Sequence, residues 1–224
     1  MQNRWIALIA ALCGLAPAPL AAVTLSCNAI PVTVTADNRD LAAQICQSTQ
    51  SVLSRLSECH VHLHRPVKIE IVSDLPSSCL GLYHCGENHI EVLSPDAALS
   101  QRTEKSVFAT LSKQEFFESI LAHELTHAAY DATPCPFGDC AATAEYLAYT
   151  MQIMTLPPAM REEIENGFEI GKTITRDEIN PMILYMAPNA FIRKSWGHLM
   201  QRENSCAYIK QIMEGKILFD SEHP

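Results

Sequence analysis

Apolar and polar residues alternate along the first third of the chain and then fall into a helical period. Residues 31–35 (Pro-Val-Thr-Val-Thr) alternate as a short strand does, and Leu41, Ala42, Ile45, Val52, Leu53 and Leu56 form a stripe that predicts a helix over 39–57. From 61 the period becomes two. Val61, Leu63, Val67, Ile69 and Ile71 share one face of a predicted strand, and His60, His62, His64, Lys68 and Glu70 take the other, with Pro66 as a bend or edge position. Leu80–Cys85 and His89–Leu93 read as two strands around a Gly86-Glu87-Asn88 turn. The remainder reads as helices over 113–131, 140–156, 158–168, 176–187 and 189–214, the last with breaks. Strands precede helices, an α+β pattern and not an alternating βαβ one. With no repeat, low-complexity tract or linker, 23–224 reads as a single domain whose part from 158 onward is helical.

Composition narrows the class. The 224 residues are 48% hydrophobic and 18% charged, so a sizeable core is expected and disorder is not. Sixteen basic residues against 25 acidic ones, net −9, exclude a general binder of nucleic acid or anionic membranes. Nine cysteines make the compartment the next question.

Residues 1–22 answer it: Arg4 is their only charge, Trp5–Leu15 is apolar, and the segment ends in small residues up to Ala22. These are the parts of a secretory signal peptide, with cleavage expected after Ala22. The run is too short to span a bilayer, and no later segment approaches twenty apolar residues, so no membrane span is predicted. The protein is expected to be exported, to a periplasm or beyond. Loss of the leader removes Arg4 and Cys13. It leaves a balance of −10 and eight cysteines: Cys27, Cys46, Cys59, Cys79, Cys85, Cys135, Cys140 and Cys206. An even number in an exported chain reads as a disulfide framework. Cys79 with Cys85 and Cys135 with Cys140 read as local pairs closing short glycine-containing loops, and the other four stay unassigned.

The chemistry concentrates in Ser119-Ile-Leu-Ala-His123-Glu124-Leu-Thr-His127. Histidines at i and i+4 share one helix face, so both imidazoles can point at one ion, and Glu124 reaches that ion's open side as a base. Ser112-Lys-Gln-Glu115 is a capping box that starts this helix, and Phe116, Phe117, Ile120, Leu121 and Leu125 bury it. A catalytic zinc takes three protein ligands and keeps one position open. Asp131, Asp139 and Glu145 are candidates for the third. Asp131 lies on the same helix, which cannot wrap three ligands around an ion. Asp139 reads as an N-cap of the next helix. Glu145 is the only acid in an alanine-rich helix that a short loop packs against the first, and is preferred. His60, His62 and His64 read as a solvent face and not a metal row.

His123-Glu-Leu-Thr-His127 followed eighteen residues later by Glu145 resembles the gluzincin branch of the zincin metallopeptidases, especially its small, single-domain exported bacterial members. The motif resemblance covers roughly 112–150, and the order of helix and strands upstream is similar too. It implies a zincin-like α+β fold and one zinc per chain. His123, His127 and Glu145 would be the ligands, Glu124 the general base and acid, and a peptide or protein the substrate. The family's substrate-pairing edge strand maps to His89–Leu93. Two departures are visible. Tyr149 stands where larger members carry an acid that orients a histidine. The residue that stabilises the oxyanion has only Tyr130, Tyr185 and His198 as counterparts, each read as structural. The expected activity is hydrolysis of peptide bonds by an exported zinc peptidase. The alternatives are a disulfide-braced binding protein that keeps the fold with little or no turnover, and a zinc amidase acting on cell-wall peptides. Elsewhere Arg161–Glu165 reads as a solvated helix face, Thr175–Glu178 as a capping box, and Met182, Ile183, Met186, Phe191 and Ile192 as core.

Overall fold

In a computed structural model that describes residues 22–76, 79–168 and 173–220, the chain opens with β1 (Val23–Ser26), β2 (Val32–Ala36) and helix α1 (Arg39–Ser57). Then come β3 (Val67–Val72), the hairpin β4 (Gly81–His84) and β5 (His89–Leu93), and helix α2 (Pro95–Gln101). The rest is helical: α3 (Lys113–Tyr130), α4 (Ala141–Met154), α5 (Pro158–Asn166), α6 (Pro181–Met186), α7 (Pro188–Met200) and α8 (Ser205–Met213). The fold is therefore α+β. The five strands make one mixed sheet in the order β1-β2-β3-β5-β4. β2, β3 and β5 run parallel, and β1 and β4 pair antiparallel at the two edges. Helix α1 supplies the crossover that parallel pairing of β2 and β3 requires. Among the described residues no helix is long and apolar enough to cross a membrane, and the leader expected over 1–22 lies, except for Ala22, outside them.

Several expectations need correction. The strand expected from Val61 starts only at Val67, because Pro66 has no N–H to give a ladder and His60 turns the chain at φ 64°. His60, His62 and His64 are exposed in that connection. The edge strand is β4 and not His89–Leu93, since β5 is hydrogen-bonded on both sides, by β3 and by β4. Ile90, Val92 and Leu93 are fully buried there, as suits an interior strand. Met182 and Met186 are 67% and 80% exposed, whereas Phe191 and Ile192 are core. The six-residue α6 is short enough that burying Leu184 leaves its other face outside.

Disulfides join Cys27 to Cys46, Cys59 to Cys206 and Cys135 to Cys140. They are compatible with export. Cys79 and Cys85 are free, contrary to expectation. They flank β4, and an extended strand holds residues six apart at a separation of about 20 Å, far beyond the reach of a bridge.

Helices α3 and α4 form the centre, each buried on nearly every side. The capping box of α3 is made in full by Ser112 and Glu115. Asp139 is not the N-cap of α4. Cys140 takes that position without a side-chain bond, and Asp139 reaches only Ala141 N, at 3.3 Å. The exposed N–H groups are met from the far end of the chain. Asp220, buried, accepts from Ala142 N at 2.8 Å, Thr143 N at 3.0 Å and Thr143 Oγ1 at 2.6 Å. A carboxylate there also meets the positive end of the helix dipole. Asp220→Ala strands three buried donors, so urea denaturation should show a loss of about 2–4 kcal/mol. A loss well under about 1 kcal/mol would mean that another group caps α4.

Candidate metal centre

Two turns of α3 carry His123 and His127 on the face that meets α4, and α4 presents Glu145 opposite them. The register is possible because the helices meet through small residues, Ala122 and Ala148 among them, both fully buried. His123 Nε2 lies 3.1 Å from His127 Nε2, and the Glu145 carboxylate lies 3.4 Å from the first and 3.5 Å from the second. A tetrahedral ion with bonds of about 2.0–2.2 Å would space its donors by about 3.3–3.6 Å, close to the two His–Glu distances and slightly above the His–His one. Among the described residues this is the one group of three or more such side chains close enough to share an ion.

The surroundings set the protonation of these donors. Ser119 Oγ donates to Phe116 O at 2.8 Å, and Gln152 Nε2 donates to Ser119 Oγ at 3.1 Å. The Gln152 oxygen is therefore left facing His123 Nδ1, 3.1 Å away, and must accept its proton. In the neutral imidazole, His123 Nε2 is then the lone pair aimed at the cluster. Glu145 Oε2 is buried with no hydrogen-bond partner. Burial works to raise the Glu145 pKa, but His123 and His127 outweigh it and hold the carboxyl well below the usual range. Burial works to lower His123, and Glu145 followed by Glu124 outweighs it in the raising direction. An orphaned carboxylate oxygen beside two converging imidazole nitrogens is a donor set that a divalent cation satisfies.

Glu124 sits beside this set, only 5% exposed. A Cβ on Gly81 would lie 2.6 Å from Glu124 Oε1, so only glycine lets the carboxylate rest against the edge strand. Burial raises the Glu124 pKa, opposed by the two histidines and by a hydrogen bond from the Tyr83 backbone. The donors and Glu124 line a cleft of about 880 Å³ between β4, α3, α4 and the start of α7.

Asp131 and Asp139 line the cleft without joining the donors. Asp131 binds Gly86 N with both oxygens, at 3.1 and 3.3 Å, tying the β4–β5 turn to the end of α3. Of the three counterparts considered for oxyanion stabilisation, His198 is 1% exposed and bonded to Tyr146 and Arg202, with its pKa lowered to about 4 chiefly by burial. Tyr185 is 71% exposed and outside the cleft lining, and the Tyr130 hydroxyl is sealed in and unpartnered. Tyr149 does face the cleft, its ring 4.6 Å from that of His123. Cys79 lines the cleft as well, with burial first and then Glu124 and Glu145 raising its pKa, which favours a neutral thiol. Gln152 is the functional residue that sequence reasoning missed. Its position seven residues after Glu145 returns it to the same face of α4, a signal hidden by its neutral type.

A mixed α+β domain with two histidines and two carboxylates converging from adjoining helices is what fold and site define. The chain belongs to a family of unknown function, DUF6639, which matches residues 32–222. No curated protein and no solved structure matches it.

Gln152→Leu removes the acceptor that fixes the His123 tautomer, and zinc affinity, read by chelator competition, should fall about 10–100-fold. Gln152→Glu restores an acceptor and should stay within a few-fold of wild type. Equal affinities for all three proteins would remove Gln152 from the centre.

Proposed function

We propose that this chain is an exported zinc-dependent peptidase of the gluzincin type, hydrolysing peptide bonds within extended substrates. One observation carries the reading: three donors converge at 3.1–3.5 Å, and a fourth carboxylate, Glu124, is buried beside them against an edge strand. A pure binding module needs no such base, which is why the hydrolase is preferred to a binding protein.

His123, His127 and Glu145 would hold the ion. When bound, zinc supplies Lewis acidity, polarising a scissile carbonyl and bringing water towards ionisation near neutral pH. Glu124 takes the proton of the attacking water on its carboxylate and delivers it to the leaving amine nitrogen. Its raised pKa, a consequence of burial, suits a group that must both accept and release a proton. Tyr149 lies four residues after Glu145, hence on the same face of α4, and its hydroxyl has no hydrogen-bond partner among the described residues. It is the cleft hydroxyl suited to donate to the carbonyl oxygen as negative charge develops there. The free outer edge of β4 offers N–H and C=O groups to an extended chain, as an added strand would use them.

Purified protein should bind one zinc per chain, and Glu124→Gln should keep that zinc while losing peptide hydrolysis. Full turnover in Glu124→Gln, or a wild type that binds no zinc, would overturn the reading. Tyr149→Phe should lower kcat about 100-fold with zinc content unchanged. An unchanged kcat would assign the oxyanion elsewhere.

A further inference from the structure

The residues of α3 that line the cleft follow one another along its axis, Phe116, Ile120, His123, Glu124, His127 and Tyr130, and Asp131 caps its end. From the first to the last is about 22 Å at 1.5 Å per residue, room for six or seven extended residues of a bound chain. The two ends differ in chemistry. At the start of α3, Phe108, Phe116, Ile120 and Ile192 make an apolar wall. At its end stand Asp131 and Asp139, where α3 ends and α4 begins. Asp131 is held by Gly86 N, and Asp139, exposed at the rim, accepts from Ala141 N at 3.3 Å. Neither has an ion-pair partner among the described residues, and none of the described lining residues is Lys or Arg.

Resting on the peptidase reading, we infer that the cleft selects internal segments of basic character. Apolar side chains lie on one side of the scissile bond, and a Lys or Arg lies two or three residues away on the other. The distances follow from the helix. The donor pair is centred about 9 Å from Asp131, which an extended chain covers in two or three residues, and about 13 Å from Phe116, which takes four. A substrate's free C-terminal carboxylate would meet no side-chain cation along this lining, so cleavage falls inside the chain and not at its carboxyl end. A basic side chain would meet two carboxylates in a screened attraction.

The test uses zinc-loaded full-length protein and internally quenched decapeptides. The peptides are identical except for Lys, Ala or Glu scanned through each position, with free or amidated C-termini and cuts located by mass spectrometry. At one position two or three residues from the cut, Lys should exceed Glu in kcat/KM by at least about 10-fold. Raised salt should shrink that ratio, Asp139→Asn should reduce it about 3-fold or more, and amidation should leave the rates unchanged. Equal rates for Lys and Glu at every position, or loss of cleavage on amidation, would overturn the inference. A second readout separates it from the peptidase reading: calorimetric binding of the same Lys and Glu peptides to zinc-loaded Glu124→Gln. If no peptide is cut by wild type but Lys peptides bind Glu124→Gln at least about 5-fold tighter than Glu peptides, the hydrolytic reading fails and the basic preference stands. If no peptide is cut and the affinities are equal, both fail.

Discussion

Two imidazole nitrogens and a carboxylate are brought within 3.5 Å of one another where α3 meets α4. The histidines hold Glu145 ionised, yet one buried oxygen of that carboxylate has no hydrogen-bond donor. Burying three polar groups together costs desolvation, so the pairing of α3 with α4 rests on further contacts, and the structure supplies them on three sides. Fully buried small residues let the helix axes approach, the Cys135–Cys140 bridge closes the connecting loop, and Asp220 fixes the first turn of α4. Gln152 adds a polar tie from α4 to both His123 and Ser119 of α3. What holds the donors in place is thus the packing of the whole helical half. A cation then gains from a geometry it did not have to assemble.

The same helix fixes the other wall of the cleft. Asp131, just past the end of α3, holds the turn of the β4–β5 hairpin, while Gly81 of β4 accepts the Glu124 carboxylate where any side chain would collide with it. The edge strand is thereby placed against the helix at two points, one at its turn and one at its start. Register between strand and helix decides whether Glu124 is buried, and burial is the first cause of its raised pKa. The free edge of β4 and the position of the Glu124 carboxylate are set by the same contact, Gly81 against Glu124.

How much of this could be read from the chain depends on whether the information was local. The capping box at Ser112, the helical spacing of Phe116 to Leu125 and the His-Glu-x-x-His motif are local, and α3 and its donor pair follow from them. Glu145 was reachable because it is the single acid in an apolar helix behind a short loop. Pairing across the sheet is not local. The alternation of His89–Leu93 marks a strand but does not say that β4 would lie outside it. Proximity in sequence misled where Cys79 and Cys85 are concerned, since the strand between them is extended. Asp220 and Gln152 act across 77 and 29 residues respectively. β1 left no clear pattern because a four-residue edge strand alternates only between half-buried and exposed positions.

The neutrality of Gln152 also shapes the charge of the cleft. An acid at that place would give a dication three carboxylates to face. With an amide there, a dication held by His123, His127 and Glu145 faces two, Glu145 and Glu124, and these balance it. Asp131 and Asp139 stay outside this balance, each held by a backbone N–H and neither opposed by a cation among the described residues. Their charge is therefore not cancelled by the centre. The acidic end is a local property of the loop between α3 and α4, distinct from the net −9 spread over the chain. The bridge that keeps the donor helices in register is also what keeps Asp139, one residue before Cys140, at the cleft wall.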